Sequence, residues 1–414
     1  ASGPRSPLLL ASQPTRHPPL PPPLAARMPS ATLAAALLAS LLASAAGAAA
    51  PQEEQALGLD DECLGAGSGD NESCAVNALQ RRALKATATE EVRAAYSLDW
   101  KAEGTSFFSG FNFMTEDANH GSAHYLDAGR AVQEGVAQAY PTHAVLRAGR
   151  ADPQYRYKRY TAKIGTQKSW SYFLAAMRFS HVPYGCGVWP AFFTLAPGAP
   201  WPDGGEVDIL EYVNDDVSKT SLHTGHACRL DPNLVNRYGY MPDRNRMNYD
   251  CRTRYPQHLG CAPNKWMRSG QQWAHNPGVV ALERTAEFLK IFFIPEGSIP
   301  GDLIGDAPRP DTWDRFIVSY YPFSANGCPP SVMAAQQLVL NIGFCGDWAS
   351  KVWGDSAYCK SRTHSCRSVD PLHEYAPQQD CCTQFIFDED RAHGTDDYLR
   401  QRAFFNISWL KVYQ

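Results

Sequence analysis

Three carboxylates fall within six residues of the run Gly204-Gly205-Glu206-Val207-Asp208-Ile209-Leu210-Glu211-Tyr212-Val213. The run is rich in aliphatic and β-branched residues and is expected to form a strand. Alternation along a strand puts Glu206 and Asp208 on one face, with Val207 and Ile209 on the other. Glu211 is out of phase with the first two acids. All three meet only if one extra residue is accommodated between Asp208 and Glu211, which is what a β-bulge does. Two carboxyl groups about 5–5.5 Å apart suffice for glycoside hydrolysis with retention, one as nucleophile and the other as acid and then base. A third carboxyl between them gives the nucleophile a hydrogen-bond partner and raises the acid's pKa by like-charge repulsion. Residues four positions apart on a flat strand stand about 13 Å apart at Cα, so the chemistry needs long Glu side chains leaning inward on a bent strand. A solvated strand face would also alternate acids with aliphatics. With 42 acidic residues in 414, chance alone gives such a triplet about 0.4 times per chain. The neighbourhood has to decide.

The surrounding elements read as β. From about residue 96 the chain offers SYFLAAMRFS, GVWPAFFTLAP, GGEVDILEYV, KTSLHTG, VVALERT, EFLKIFFIP, QQLVLNIGF and FFNISWLKVY, separated by Gly, Pro and Asn turns. Short strands so punctuated imply an all-β sandwich or jelly roll of two antiparallel sheets. Composition agrees, with 31 Gly, 31 Pro, 10 Trp, 19 Tyr and 18 Phe. The formal net charge is -4, so no basic excess exists to neutralise phosphates and a nucleic-acid partner is not expected. Segments 229–275 and 351–402 read as insertions, functional or disulfide-tied.

The N-terminal part is of another kind. Residues 1–27 are low-complexity, and Met28 opens MPSATLAAALLASLLASAAGAAA, which reads as a secretory leader over 28–50 cut among Gly47–Ala50. The competing reading is a signal anchor, since the uncharged run is about long enough to span a bilayer; the weak apolarity of Ala favours cleavage and gives no reason to expect stable membrane insertion. Residues 51–95 form a linker or propeptide-like segment with Cys63, Cys74 and a candidate helix. The twelve cysteines are an even count behind a leader, which favours disulfides and an extracellular location. Their pairing stays open. No Cys-x-x-Cys pair exists and the histidines do not cluster beside the cysteines, so a structural zinc is not expected. Asn71 and Asn406 head glycosylation sequons.

Several separate blocks carry a resemblance. CGVWPAFFTLAPGAPWPDGGEVDILEYVN, SLHTGHAC, KIFFIPEGSIPGD, NIGFCGDWAS and the terminal WLKVYQ, with FFSGFNFMTEDANHGSAHYLD ahead of them, resemble glycoside hydrolase family 16, and within it the fungal-type laminarinases and endo-β-1,3(4)-glucanases. The resemblance spans residues 96–414. It implies a β-jelly-roll whose concave face is an open glycan cleft, with Glu206 as nucleophile, Asp208 as assisting carboxylate and Glu211 as general acid/base. Trp189 and Trp201 match aromatic platforms; His223 and Trp348 match cleft residues near the cleaved sugar. The implied protein is a secreted, monomeric, retaining endo-β-glucanase acting on a β-glucan polysaccharide without an organic cofactor; calcium on the outer side of the sheet is compatible with the fold. A transglycosylase would use the same residues. A non-catalytic glucan-recognition protein is disfavoured by the presence of all three acids. Phe193, Gly343 and Tyr212 depart from the residues usual in this branch, which bears on the subsites and the linkage preference.

Overall fold

The computed structural model describes residues 96–216, 219–235, 249–254, 259–262, 268–392 and 398–414. The low-complexity opening 1–27, the leader 28–50 and the segment 51–95, with Cys63, Cys74 and Asn71, lie outside the described residues.

Two antiparallel sheets dominate. The first runs, in spatial order, β11 (Lys219–His223), β10 (Glu206–Glu211), β9 (Val188–Leu195), β15 (Gln337–Phe344), β7 (Lys163–Thr166) and β2 (Phe111–Phe113). The second runs β14 (Ile317–Pro322), β13 (Phe288–Pro295), β12 (Gly278–Arg284), β8 (Phe173–His181), β16 (Phe404–Tyr413), β5 (Ala144–Arg147) and β4 (Ala137–Ala139), with β1 (Leu98–Glu103) also paired to β16. A short parallel pair, β3 (Ala123–Tyr125) and β6 (Arg159–Thr161), stands apart from both. Neighbours such as β9 and β15 are far apart in sequence, the crossing connectivity of a sandwich rather than a meander.

Hydrophobic alternation decides what each sheet covers. One buried cluster joins Phe192, Val207, Leu210, Leu340 and Ile342 of the first sheet to Met177, Phe179, Leu282, Ile291 and Leu410 of the second. The alternate residues Ala176, Val279, Phe292 and Ile294 enter another cluster with Leu303 and Trp313, from the segment that follows β13. Strands β12 and β13 are therefore buried almost end to end, which explains their near-continuous apolar runs. Strand β11 alternates partly exposed and buried residues.

The described cysteines are all paired: Cys186–Cys359, Cys228–Cys328, Cys251–Cys261, Cys345–Cys382 and Cys366–Cys381. Both expected insertions are tied in this way. The helix Cys381–Ala392 starts on two of these bridges, and Asp380 caps it through the Thr383 amide at 3.0 Å. Asn406 sits within β16 with its side chain partly exposed.

Candidate active site

The acidic strand is held from below before it turns its acids outward. Gly205 has φ +75°, and a Cβ there would lie 2.8 Å from Met333 Cγ and 3.1 Å from the Val332 carbonyl; only glycine takes that conformation in that space without strain. The wholly buried Gln336 donates to the Gly204 carbonyl at 2.9 Å and accepts from Thr194 Oγ1 at 2.8 Å. Thr194 Oγ1 in turn accepts the Val207 amide at 3.1 Å. These bonds fix the first residues of β10 from the core side.

The bulge expected from the spacing is present. Asp208 pairs with Phe193 of β9 and Leu210 with the adjacent Phe192, leaving Ile209 as the extra residue. On the other side Asp208 pairs with Ser221 and Glu211 with Lys219, again with a register shift between them. Directly paired residues share a face. Glu206, Asp208 and Glu211 therefore line up with Ser221, His223 and Lys219 on the face away from the core, while Val207 and Leu210 point into it.

Each acid has its own partners. Trp201, 41% exposed, hydrogen-bonds Glu206 and lies 5.9 Å from the His223 ring. Asp208 accepts from Ser221 Oγ at 2.6 Å, and its Oδ2 is 3.3 Å from His223 Nε2. The other ring nitrogen of His223 is 3.0 Å from Thr253 Oγ1. Trp189 Nε1 donates to Glu211 Oε1 at 2.8 Å. Trp348 meets Trp189 edge-on at 5.8 Å. It is presented by a tight turn at Cys345 and Gly346, with φ +57° and +79°, anchored where Asp347 N donates to the Asn119 carbonyl at 3.0 Å. All seven side chains singled out from the sequence thus gather along β9, β10 and β11 and the turns beside them.

Electrostatics follow from burial. Desolvation, then the charges of Asp208 and Glu211, push Glu206 well above the ordinary glutamate range. Glu211 is pushed up to about 8, first by burial and second by Asp208, against the opposing effects of the Trp189 hydrogen bond and the Lys219 charge. Like-charge repulsion, expected as the cause, is real but ranks behind desolvation. Glu206, Asp208 and His223 also offer ligand atoms within 4.8 Å of one another, a set that could hold a divalent ion. Trp201, Ser221 and Thr253 already engage those three side chains, so the set is satisfied as a hydrogen-bond network.

The departures resolve spatially. Tyr212 is fully buried, and its hydroxyl donates to the Pro183 carbonyl, away from the acids. Gly343 pairs with Trp189 and leaves the cleft face beside that indole without a side chain. Phe193 pairs with Asp208 and so stands next to it on the same face. Ser221, Lys219 and Thr253 were not singled out from the sequence. The alternation of Lys219-Thr-Ser221-Leu-His223 puts the first two on the face of His223, a readable signal. Thr253 comes from the Cys251–Cys261 segment and carries none.

An antiparallel β-sandwich with three carboxylates converging between indole rings defines a glycoside hydrolase. The model of the XgeA-like catalytic GH16 domain matches residues 111–413. The chain belongs to glycoside hydrolase family 16. It is similar to the probable glycosidase C21B10.07 of Schizosaccharomyces pombe, 29% identical over 333 residues that cover 77% of this chain and 69% of that protein. The endo-1,3(4)-beta-glucanase of Arthroderma benhamiae is 26% identical, with 78% of this chain and 65% of that protein covered. For the endo-1,3(4)-beta-glucanase xgeA of Emericella nidulans the figures are 25%, 77% and 47%. The chain thus spans between about half and about two thirds of these relatives' lengths. Among solved structures, GH16 Laminarinase 16A of Phanerochaete chrysosporium, with 6-O-glucosyl-laminaritriose in donor and acceptor sites, is 25% identical with a TM-score of 0.60, covering 78% of this chain and 100% of that one. An elongating GH family 16 beta-1,3-glucosyltransferase, 24% identical with a TM-score of 0.62 and covering 77% of this chain and 100% of that one, shares the fold.

Proposed function

We propose that this chain is a retaining endo-β-glucanase acting on β-1,3- or mixed β-1,3/1,4-glucans. The observation that carries the reading is the bulge at Ile209, which brings Glu206 and Glu211 to one open face with a different indole on each. Glu206 attacks the anomeric carbon while Glu211 gives its proton to the departing glycosidic oxygen. Trp189 occupies Glu211 Oε1, which leaves the other oxygen for that transfer. Burial and like charge keep a proton in the site at neutral pH, and the mechanism requires it on Glu211. In the second half Glu211 takes a proton from water, the hydroxide adds to the anomeric carbon, and the ester bond to Glu206 breaks to restore its carboxylate. Asp208, oriented by Ser221 and His223, stands beside the nucleophile throughout. The relatives named as endo-1,3(4)-beta-glucanases and the laminarinase neighbour support the substrate class. The described disulfides support an extracellular site of action, and among the described residues no helix is long and apolar enough to cross a membrane.

Glu206→Gln is expected to abolish release of reducing ends from laminarin without lowering the thermal midpoint. A variant of normal activity refutes the assignment. A wild-type panel of laminarin, lichenan, barley glucan, cellulose and xyloglucan reads the linkage, and products longer than the substrate would mark transglycosylation.

A further inference from the structure

Lys219 is singled out neither by the acidic motif nor by the family resemblance, yet it closes a ring of contacts around the acid/base. It pairs in register with Glu211 across the bulge, so the two side chains leave neighbouring strands on the same face. Its ammonium stands 4.9 Å from the centroid of the Trp348 ring. Trp348 meets Trp189 at 5.8 Å with perpendicular planes, and the Trp189 N–H is bonded to Glu211. Glu211, Trp189, Trp348 and Lys219 thus form a closed circuit. A lysine on an exposed strand face ordinarily samples many rotamers and its charge is largely screened. Here the indole face gives the ammonium a fixed seat through its quadrupole. The seat itself is fixed, because the turn at Cys345–Gly346 is bridged by Cys345–Cys382 and tied to Asn119.

We propose that Lys219 is a positioning residue for Glu211, holding a cation beside it so that the carboxylate is favoured when it must act as base. The proposal rests on the glucanase reading above. Glu211 is faced by Asp208 and Glu206 along its own strand, by Lys219 from β11, by Trp189 from β9, and by Trp348 beyond that indole; His223 stands behind Asp208. Asp208 is a negative neighbour in both halves of the reaction, and Glu206 only while it is not esterified to the sugar. Without a cation, the negative neighbours would hold the proton on Glu211 more tightly, so that it passes less readily to the leaving oxygen in the first half and the carboxylate that takes water's proton in the second is less populated.

The test is the pH dependence of kcat/KM on laminarin for the wild type, Lys219→Met and Lys219→Arg, with thermal midpoints measured alongside. Glu211 must be protonated in the first half, so its ionisation sets the alkaline limb. Removing the cation keeps the proton on to higher pH, so Lys219→Met is expected to move that limb up by about one unit. Lys219→Arg keeps the charge and is expected to restore the wild-type limb. A limb unmoved in Lys219→Met, or an arginine variant that behaves like the methionine one, overturns the role of Lys219. Should Lys219→Met fail to fold, Lys219→Gln is read by the same two criteria. A wild type inert on every glucan of the panel would instead overturn the glucanase reading.

Discussion

The two sheets use similar apolar residues to different ends. Strands β12 and β13 are buried along nearly their whole lengths, because one face meets the first sheet and the other is covered by Leu303 and Trp313. Strands β10 and β11 turn one face only into the core, and the other carries the buried Asp208 together with the partly exposed Glu206, Glu211, His223 and Lys219 beside indole rings. A strand covered on both sides has only stability to contribute. A strand covered on one side can set polar groups at the strand spacing of about 4.8 Å, rigid because the core holds their backbone. The depth of the cleft floor then does the rest, since partial desolvation is what moves Glu211.

The sharpest way to break this contrast is Glu211→Gln, expected to lower kcat on laminarin by about 10³-fold yet to stabilise the fold. Ionising a carboxyl whose native pKa is raised costs stability, a cost absent below the unfolded value and complete above about 8. The rise in thermal midpoint should accordingly be largest at pH 8 and vanish near pH 4.5; equal gains at both would contradict it. A smaller effect is expected from deleting Ile209. The strand then alternates strictly, Glu206, Asp208 and Glu211 stay on one face, and only their spacing changes. Misplacement on the ångström scale predicts a loss of about 10²-fold in kcat, measured by reducing ends; complete inactivity would show that the bulge sets more than distance. The smallest effect on activity belongs to the second sheet. Ile291→Ala, in the buried centre of β13, should cost about 2–5 kcal/mol of stability by denaturant titration while kcat/KM below the melting range stays close to wild type. A comparable loss of kcat/KM would mean that the two sheets do not divide their work as described.

Much of the site was legible because its spacing breaks a rule. Three acids separated by one and then two residues cannot share a strand face without an irregularity, so the sequence pointed to the bulge as well as to the acids. The long strands β8, β9, β12, β13, β15 and β16 were legible from their apolar runs. Strands of three or four residues, such as β2, β3, β4 and β6, are too short to show a period; β2 and β4 form on the edges of β7 and β5, and β3 and β6 form by pairing with each other. Ser221 and Lys219 lay within reach of the alternation argument once His223 was placed. Thr253 did not, because it reaches His223 through a disulfide-closed loop.

By itself the sequence determined which carboxylates are candidates for the chemistry and on which strand they ride, because residue type and periodicity are local properties. Tertiary structure decided how those atoms behave. The burial of Glu211 beside Trp189, the cation arriving from β11, the pairing of cysteines up to 173 residues apart and the second cover over β12 and β13 all depend on contacts between distant segments, which local pattern does not encode.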